Sequence, residues 1–453
     1  MNLQDTYKPE DKDLEPVSEV QRSLIPPLTI HERRCSLEKD FDPLANKSKQ
    51  ICIYSKEEEY THILGDAKAF HQYLDGMIAQ YPELFPVMIR QGYTLHDILP
   101  ESAKMPGIRL RRIKVKANDG NGDDVLGIRP SFVMPYMVGY TNDVEKPLFL
   151  RRWGVPHWAL AHVVGRDEQY WYRIDNHIGR NSIVGTTVKN PDDLPEDLLA
   201  DEKHTRFNGQ KVYIATTVAN DCVLGASVSL DADTEGLTEA YGHFKTETNN
   251  VSHDYEPKTV ATDGWTATKL AWQHLFPLIT AILCFLHSFI KIRDRCKRMK
   301  GQYGEITTRV WEIYHSDDKN TFSQRITGFK EWAIEKMPKG NGLDAVLKLC
   351  NKAPEFVKAY DHPSAYRTSN MLDRHMDPMA RYLYGCRYFH GHLTSAEYST
   401  RSWALLHNFH PYSPRAKIKQ TYESPAHKFN GFVYHGNWLH NLLISASMGG
   451  YRQ

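Results

Sequence analysis

The sequence of 453 residues lacks the features that mark secreted or membrane-spanning proteins. Its seven cysteines include no Cys-x-x-Cys pair and no repeated spacing, which predicts free thiols in a reducing cytoplasm. The longest apolar stretch, residues 275–286, contains Pro277 and is too short to cross a membrane. The first residues contain no apolar core flanked by basic residues, so no secretory signal is expected. These absences predict a soluble, cytoplasmic protein.

An excess of either charge is also missing. The net charge is +1, with 25% charged and 41% hydrophobic residues, which is ordinary for a globular protein. Near-neutrality counts mildly against a nucleic-acid-binding protein, but the charge is unevenly distributed and local runs matter more than the total. The length is sufficient for two or three separate cores, so several domains are expected.

The N-terminal part divides into two regions by pattern. Residues 1–60 are polar, mixed in charge and without periodic apolar positions, which predicts a poorly ordered tail. Residues 61–190 are mostly helical by pattern and include a small sheet. A helical pair is expected up to about residue 98, because apolar residues recur at helical spacing, and strands are expected between residues 104 and 142.

Residues 146–178 have the spacing of a helix-turn-helix. Helices are predicted over residues 146–153, from Pro156, and after Asp167, which is placed to cap the third helix. A tight turn at Gly165 separates the second helix from the third. The side chains predicted to face outward and enter a DNA major groove are Arg166, Gln169, Tyr172, Arg173 and His177. The alternative is an ordinary helical hairpin inside a core.

From residue 194 the pattern changes to strands. Three antiparallel strands, a helix, a strand, a helix and a strand form the order of an RNase H-like domain, which predicts the α/β (α+β) class for residues 194–300. In that order Asp201 lies on the first strand and Asp263 follows the fourth, so the two carboxylates converge. Clustered carboxylates repel one another unless a cation neutralises them. A single Asp after a strand is usually a turn or cap, but the pair indicates a two-metal site.

Three short motifs in this region resemble those of DDE transposases of bacterial insertion sequences and their Mutator-like relatives. The motifs surround Asp201 (residues 200–205) and Asp263 (residues 260–265) and end with Cys284-x-x-His287. The resemblance implies cleavage of DNA strands at element ends and attack of the liberated 3′-hydroxyl on target DNA. It also implies double-stranded DNA as partner, a homo-oligomer on DNA and a location at the bacterial nucleoid.

A third carboxylate is implied on a late helix, where the family usually has Glu after a Thr-Asn-Asn-like stretch. Residues 367–374 match that stretch but offer Asp373, whose side chain is one methylene shorter. Asp377 and Glu397 remain alternatives. With Asp201 and Asp263, Asp373 is expected to hold two Mg²⁺ or Mn²⁺ ions.

The Cys-x-x-His motif and the basic residues after it are expected beside the site. In the family that the chain resembles, the motif lies near the catalytic residues, so Cys284 and His287 are predicted to support the site or contact phosphate rather than bind metal. A solvated helix face is the usual explanation for a basic run, but next to a DNA site phosphate contact is favoured. The basic residues are Lys291, Arg293, Arg295, Lys297, Arg298 and Lys300.

Residues 301–365 are helical by pattern and are predicted to be an insertion into the catalytic domain, which residues 366–453 complete with C-terminal helices. The predicted function is therefore that of a DDE-type transposase. Two alternatives stay open: a domesticated, inactive relative that binds DNA without cutting it, and an RNase H-like nuclease that cuts without joining.

Overall fold

Two mixed β-sheets, each containing parallel and antiparallel neighbours, organise the chain. The computed structural model describes residues 48–117, 122–299, 301–417 and 421–451. Helices surround both sheets, so the protein belongs to the mixed α/β (α+β) class, as predicted. Each helix in the described ranges is either too short or too polar to cross a lipid bilayer.

The first sheet has the strand order β1-β4-β3-β2. Its strands are β1 (Gln50–Ile53), β2 (Tyr93–Ile98), β3 (Arg111–Lys116) and β4 (Asp123–Pro130). β1 pairs parallel with β4, and the other pairs are antiparallel. Two helices, α1 (Glu57–Leu64) and α2 (Ala67–Gln80), connect β1 towards β2 and bury Tyr60, Phe70 and Leu74.

Two predictions for this region are wrong at their ends. The predicted tail, residues 1–60, lies outside the described residues up to residue 47, but its end contains β1, in which Ile51 and Ile53 are fully buried. A three-residue apolar run has no measurable period, which concealed this strand. The predicted helical pair also extends too far, because residues 93–98 form β2, whose side chains alternate between more and less exposed positions.

Four helices follow the first sheet in the chain and precede the second sheet. They are α3 (Thr141–Arg151), α4 (His157–Val164), α5 (Glu168–Gly179) and the short α6 (Ile183–Thr187). The predicted cap and turn are confirmed: the Asp167 carboxylate accepts the backbone N–H of Tyr170 at 2.6 Å, and Gly165 has a φ of 77°. The indole N–H of Trp171 donates to the Gly165 carbonyl at 3.0 Å, which fixes the turn against α5.

The second sheet has the strand order β7-β6-β5-β8-β9. Its strands are β5 (Asp197–Phe207), β6 (Gln210–Ala219), β7 (Cys222–Ser229), β8 (Thr259–Thr262) and β9 (Thr280–Leu283). An Asn-Gly pair between two strand patterns predicts a hairpin turn, and the structure confirms it at Asn208 and Gly209, whose φ values of 49° and 80° suit a tight two-residue turn. Helix α7 (Thr234–Val251) and helix α8 (Thr266–Leu275) pack on the sheet through Tyr241, Phe244 and Trp272.

Five helices follow β9 and share a core of their own. They are α9 (Phe285–Cys296), α10 (Tyr303–Tyr314), α11 (Lys319–Lys336), α12 (Asn341–Asn351) and α13 (Ala353–Val357). The predicted helical character of residues 301–365 is confirmed, because α10 to α13 occupy most of that range. Ile292 of α9 and Phe322 of α11 are among the fully buried members of this core, which also includes Leu283 at the end of β9.

The last part of the chain is helical and returns to both sheets. Its helices are α14 (Asn370–Gly385), α15 (Leu393–Phe409), α16 (Pro414–Lys417), α17 (Pro425–Asn430) and α18 (Trp438–Ser445). Helix α15 is buried along most of its length. On one side Gly179 of α5 lies so close that a Cβ there would be 1.9 Å from the Tyr398 carbonyl oxygen. On another side the Glu397 carboxylate accepts the N–H of Val228 in β7 at 2.7 Å.

A buried ion pair connects the helices between the sheets with α14 and α15. The Arg151 guanidinium donates to the Asp175 carboxylate at 2.6 Å and to the Tyr382 hydroxyl at 2.8 Å, and Arg151 and Asp175 are almost fully buried. Ser402 also donates to Asp175, and a ring nitrogen of His157 lies 3.1 Å from it. Helices α3, α4, α5, α14 and α15 therefore meet at one charged pair.

Replacing Asp175 should destabilise the fold severely, because Asp175→Ala leaves the Arg151 guanidinium buried without its counter-charge. We expect the free energy of unfolding in urea to fall by about 3–5 kcal/mol. The control is Glu305→Ala, which removes an exposed Arg309–Glu305 pair of 2.9 Å within α10 and should have little effect. Equal effects of the two variants would contradict this assignment.

Candidate metal centre

The pairing of β5 with β8 brings two predicted site residues together. The strands run parallel, with Leu199 opposite Ala261 as the last paired residues. Two residues further along each strand direction come Asp201 and Asp263. The turn after Asp263 favours glycine, because Gly264 has a φ of 91°, a backbone conformation that other residues rarely adopt. Strand register and this turn thus place both aspartates at one edge of the sheet.

The start of α9 and the start of α14 close the site from another direction. The backbone N–H of Cys284, directly after β9, donates to the Thr262 carbonyl at 2.8 Å. The Ser369 N–H, just before α14, donates to the Cys284 sulfur at 3.1 Å. The Ser369 hydroxyl in turn donates to Asp373 at 3.2 Å. Asp373, in the first turn of α14, is therefore positioned through Cys284.

These contacts assemble a trio of Asp201, His287 and Asp373. One ligand atom from each residue lies within 4.8 Å of the other two, and all three side chains are half-buried. Asp263 is not a member of this trio, although its charge acts on Asp201. Two carboxylate oxygens and one imidazole nitrogen at this spacing fit a divalent metal ion.

The crowding of acidic groups shows in Asp201. Burial raises the pKa of its carboxyl group to about 6, and the charges of Asp263 and Asp373 add to that increase. The N–H of Glu202, which donates to Asp201 at 2.8 Å, and the nearby His287 act in the opposite direction. The charged form of Asp201 is thus unfavourable in the metal-free protein, which is the condition that a bound cation relieves.

Cys284 and His287 form a polarised pair. A hydrogen bond with Cys284 raises the pKa of His287 to about 9, against the effect of burial, and the charges of Asp201 and Asp373 add to the increase. Burial alone would raise the pKa of Cys284, but hydrogen bonds with His287 and Ser369 leave it below its usual value. The predicted supporting residues therefore lie in the site, with His287 close enough to the carboxylates to serve as a ligand.

Glu202 is a buried acid that the sequence reasoning missed. Because neighbouring side chains on a strand point to opposite faces, it lies on the side of the sheet away from Asp201. It accepts hydrogen bonds from the Tyr241 hydroxyl and the Thr268 hydroxyl, both at 2.7 Å. Burial raises the pKa of Glu202 to about 7. The adjacent acids Asp201-Glu202 on a strand were the available signal.

The two alternatives for the third carboxylate lie elsewhere. Asp377 is exposed on α14. Glu397 is buried in α15 against β7, two strands away from β5, and burial raises its pKa to about 8. Of the three candidates, Asp373 is the one that lies beside Asp201.

The predicted base-reading residues of α5 are only partly available. Arg166, Gln169 and Arg173 are exposed. Tyr172 is not, because it is half-buried and its hydroxyl donates to Ser395 at 2.9 Å. His177 is also wrong as an outward-facing residue, since its ring lies against that of Tyr136 with centroids 4.3 Å apart. Tertiary contacts that the local pattern does not contain explain both corrections, with α15 for Tyr172 and with Tyr136 for His177.

The basic residues that follow His287 form an exposed surface on and just after α9. Arg293, Arg295, Lys297 and Arg298 are all exposed. Asp294 lies 3.3 Å from Arg293 and 3.9 Å from Lys297. Because this single acid stands among four basic residues, the segment keeps a net positive charge.

No family model matches the chain, and no curated protein does.

Replacing Asp201 with Asn should stabilise the metal-free protein. A carboxyl group whose pKa is higher in the folded than in the unfolded state stabilises the fold only while protonated, and this stability is lost as the pH rises from about 4 through about 6. At pH 7.5 with a chelator, Asp201→Asn should therefore increase the free energy of unfolding by about 1–2 kcal/mol. The gain should shrink at pH 5. The exposed control Asp317→Asn should change nothing, and a loss of stability in Asp201→Asn would refute the argument.

Proposed function

We propose that this chain is a DDE-type transposase with an RNase H-like catalytic domain, into which residues 301–365 are inserted. The observation that carries the proposal is the meeting of Asp201 of β5 and Asp373 of α14 with His287, beside Asp263, whose charge acts on Asp201. The strand order, with an antiparallel hairpin pair followed by two parallel neighbours, supports the same fold.

Asp201, Asp263 and Asp373 would together hold two Mg²⁺ or Mn²⁺ ions. When bound, such ions supply Lewis-acid activation of the attacking oxygen and neutralise charge on the leaving oxygen. The protein contributes orientation, because one oxygen of each carboxylate is held by an internal donor. These donors are the N–H of Glu202, the N–H of Trp265 at 2.8 Å from Asp263, and the Ser369 hydroxyl. The other oxygen of each carboxylate is the one to bind a cation.

The proposed reaction has two phosphodiester exchanges. In the first, a water oxygen attacks phosphorus at the element end and the bond to the 3′-oxygen breaks, which leaves a 3′-hydroxyl. In the second, that 3′-hydroxyl attacks a phosphorus of the target DNA, and the bond from this phosphorus to its own 3′-oxygen breaks. The element end is then joined to the target 5′-phosphate, and the target strand is left with a free 3′-hydroxyl. Since two element ends must be joined, the working form is expected to be a homo-oligomer on double-stranded DNA.

Two surfaces are proposed to contact this DNA. The exposed basic residues on and after α9 begin about two turns beyond His287 in the same helix, which suits contact with phosphates close to the reacting bond. The remaining candidates for contacts with base edges are Arg166, which precedes α5, and Gln169 and Arg173 on α5.

The compact trio favours an active enzyme over an inactive DNA-binding relative. Burial and the charges of Asp263 and Asp373 raise the pKa of Asp201 in spite of His287, a cost that a bound cation would relieve and that a protein which only binds DNA does not need. A nuclease that cuts without joining has the same site, so only the reaction products distinguish it.

Asp263→Asn should abolish cleavage and joining of labelled DNA that carries the sequences flanking the gene, in Mg²⁺ or Mn²⁺. The loss should be at least about 1,000-fold, because the amide removes a charge that the metal ions need. Asp317→Asn is the matched control and should retain full activity. Joined products from the wild type identify a transposase, and cut but unjoined products identify a nuclease. Metal-dependent joining by Asp263→Asn would refute the site.

The α9 surface predicts a specific salt dependence. Changing Arg293, Arg295, Lys297 and Arg298 to Gln should weaken binding to all DNA sequences alike. The slope of log K against log salt concentration should decrease by about one for each phosphate that a basic side chain no longer neutralises. The matched control changes the exposed Lys68 and Lys258 to Gln and should leave the slope unaltered. An unchanged slope in the α9 variant would exclude this surface.

A further inference from the structure

The side chain that completes the compact trio around Asp201 and Asp373 is a histidine rather than the third aspartate of the proposed catalytic set. One ligand atom each from Asp201, His287 and Asp373 lies within 4.8 Å of the others. Ligands of a single ion with bonds of about 2.0–2.2 Å lie about 3–4 Å apart, so a small inward movement completes the coordination. The charge of Asp263 raises the pKa of Asp201, but Asp263 is not a member of this group.

His287 is held in the way that a ligand histidine requires. Nδ1 of His287 lies 3.5 Å from the Ser369 hydroxyl, the same group that donates to Asp373. Ser369 also forms hydrogen bonds with Cys284, which precedes His287 by about one helical turn. A single serine thus fixes the imidazole on α9 relative to the carboxylate on α14. Such outer contacts orient the ring of metal-binding histidines and set which nitrogen faces the metal.

We propose that His287 is itself a metal ligand, and that it forms with Asp201 and Asp373 a mixed imidazole–carboxylate position selective for Mn²⁺-like transition ions over Mg²⁺. Imidazole nitrogen suits divalent transition metals, whereas Mg²⁺ prefers an all-oxygen shell. The second position, between Asp201 and Asp263, has carboxylates alone and binds more weakly. The inference rests on the proposed function, because that function is what gives the site a need for metal ions. Metal binding itself can be measured without DNA.

The test is Mn²⁺ binding to the full-length, chelator-treated protein, followed by electron paramagnetic resonance at pH 7.5. Wild type should bind two Mn²⁺ with different affinities, and spin-echo modulation from a coordinated ¹⁴N nucleus should accompany the tighter ion. Excess Mg²⁺ should displace the weaker ion first. The nitrogen signal needs no variant, so it remains informative even where a substitution impairs folding.

Three variants separate the two positions. His287→Ala should remove the nitrogen signal and reduce the affinity for the more tightly bound Mn²⁺ by at least about 10-fold. His287→Asp should restore tight binding but reduce the preference for Mn²⁺ over Mg²⁺ by about 10-fold, because it replaces nitrogen with oxygen. Asp263→Asn should remove the weaker ion and leave the nitrogen signal intact. The matched control is His274→Ala, an exposed histidine of α8, which should behave as wild type.

Two outcomes overturn the inference in different ways. If His287 only acts as a positive counter-charge to the acids, Mn²⁺ should bind without nitrogen modulation and His287→Ala should bind Mn²⁺ and Mg²⁺ equally well or more tightly. That result removes His287 from the ligands and leaves the proposed function standing. If wild type binds neither metal, the proposed function fails together with the inference.

Discussion

The arrangement of the site depends on the parallel pairing of β5 with β8. Parallel neighbours need a crossover connection, which α7 provides, and in return both strands finish at the same edge of the sheet. Pairing stops at Leu199 and Ala261, whereas β5 continues beside β6 as far as Phe207. Beyond Leu199 one edge of β5 is therefore not covered by β8, and this is where Asp201 lies and where α14 can approach. An antiparallel arrangement would have sent Asp201 and Asp263 to opposite edges.

The remaining part of the site is assembled over long sequence distances. Ser369 meets Cys284 across a difference of 85 positions, and the core of the intervening helices takes one residue, Leu283, from the end of β9. Such a segment can vary in length with little effect on the site, provided that its two ends keep their contacts. The Phe285 N–H, which donates to the Arg367 carbonyl at 3.1 Å, is one of the contacts that hold those ends together.

Local patterns in the sequence predicted the elements well and their packing less well. The strand ending at Thr262, the Asn208-Gly209 hairpin and the Asp167 cap depend on neighbouring residues, and all three are confirmed. The strand β1 was missed because three apolar residues have no period. The inward placement of Tyr172 and His177 was missed because it depends on tertiary contacts, with α15 for Tyr172 and with Tyr136 for His177. The nearness of His287 to Asp201 and Asp373 has the same origin, since it requires β9, α9 and α14 to meet.

Helix α15 has a consequence for how the protein can change over time. It is covered on one side by α5 and on another by β7, and its Arg401 donates to the Gly179 carbonyl while pairing with Glu247 of α7. Most of the surface of α15 is therefore buried by two parts of the chain, the N-terminal part that contains α5 and the part that contains the second sheet. Neither part can be exchanged for that of another protein, or expressed alone, without exposing this surface to water. The N-terminal helices and the acidic site are therefore coupled through one buried helix, so either can change by substitution but not by exchange of modules.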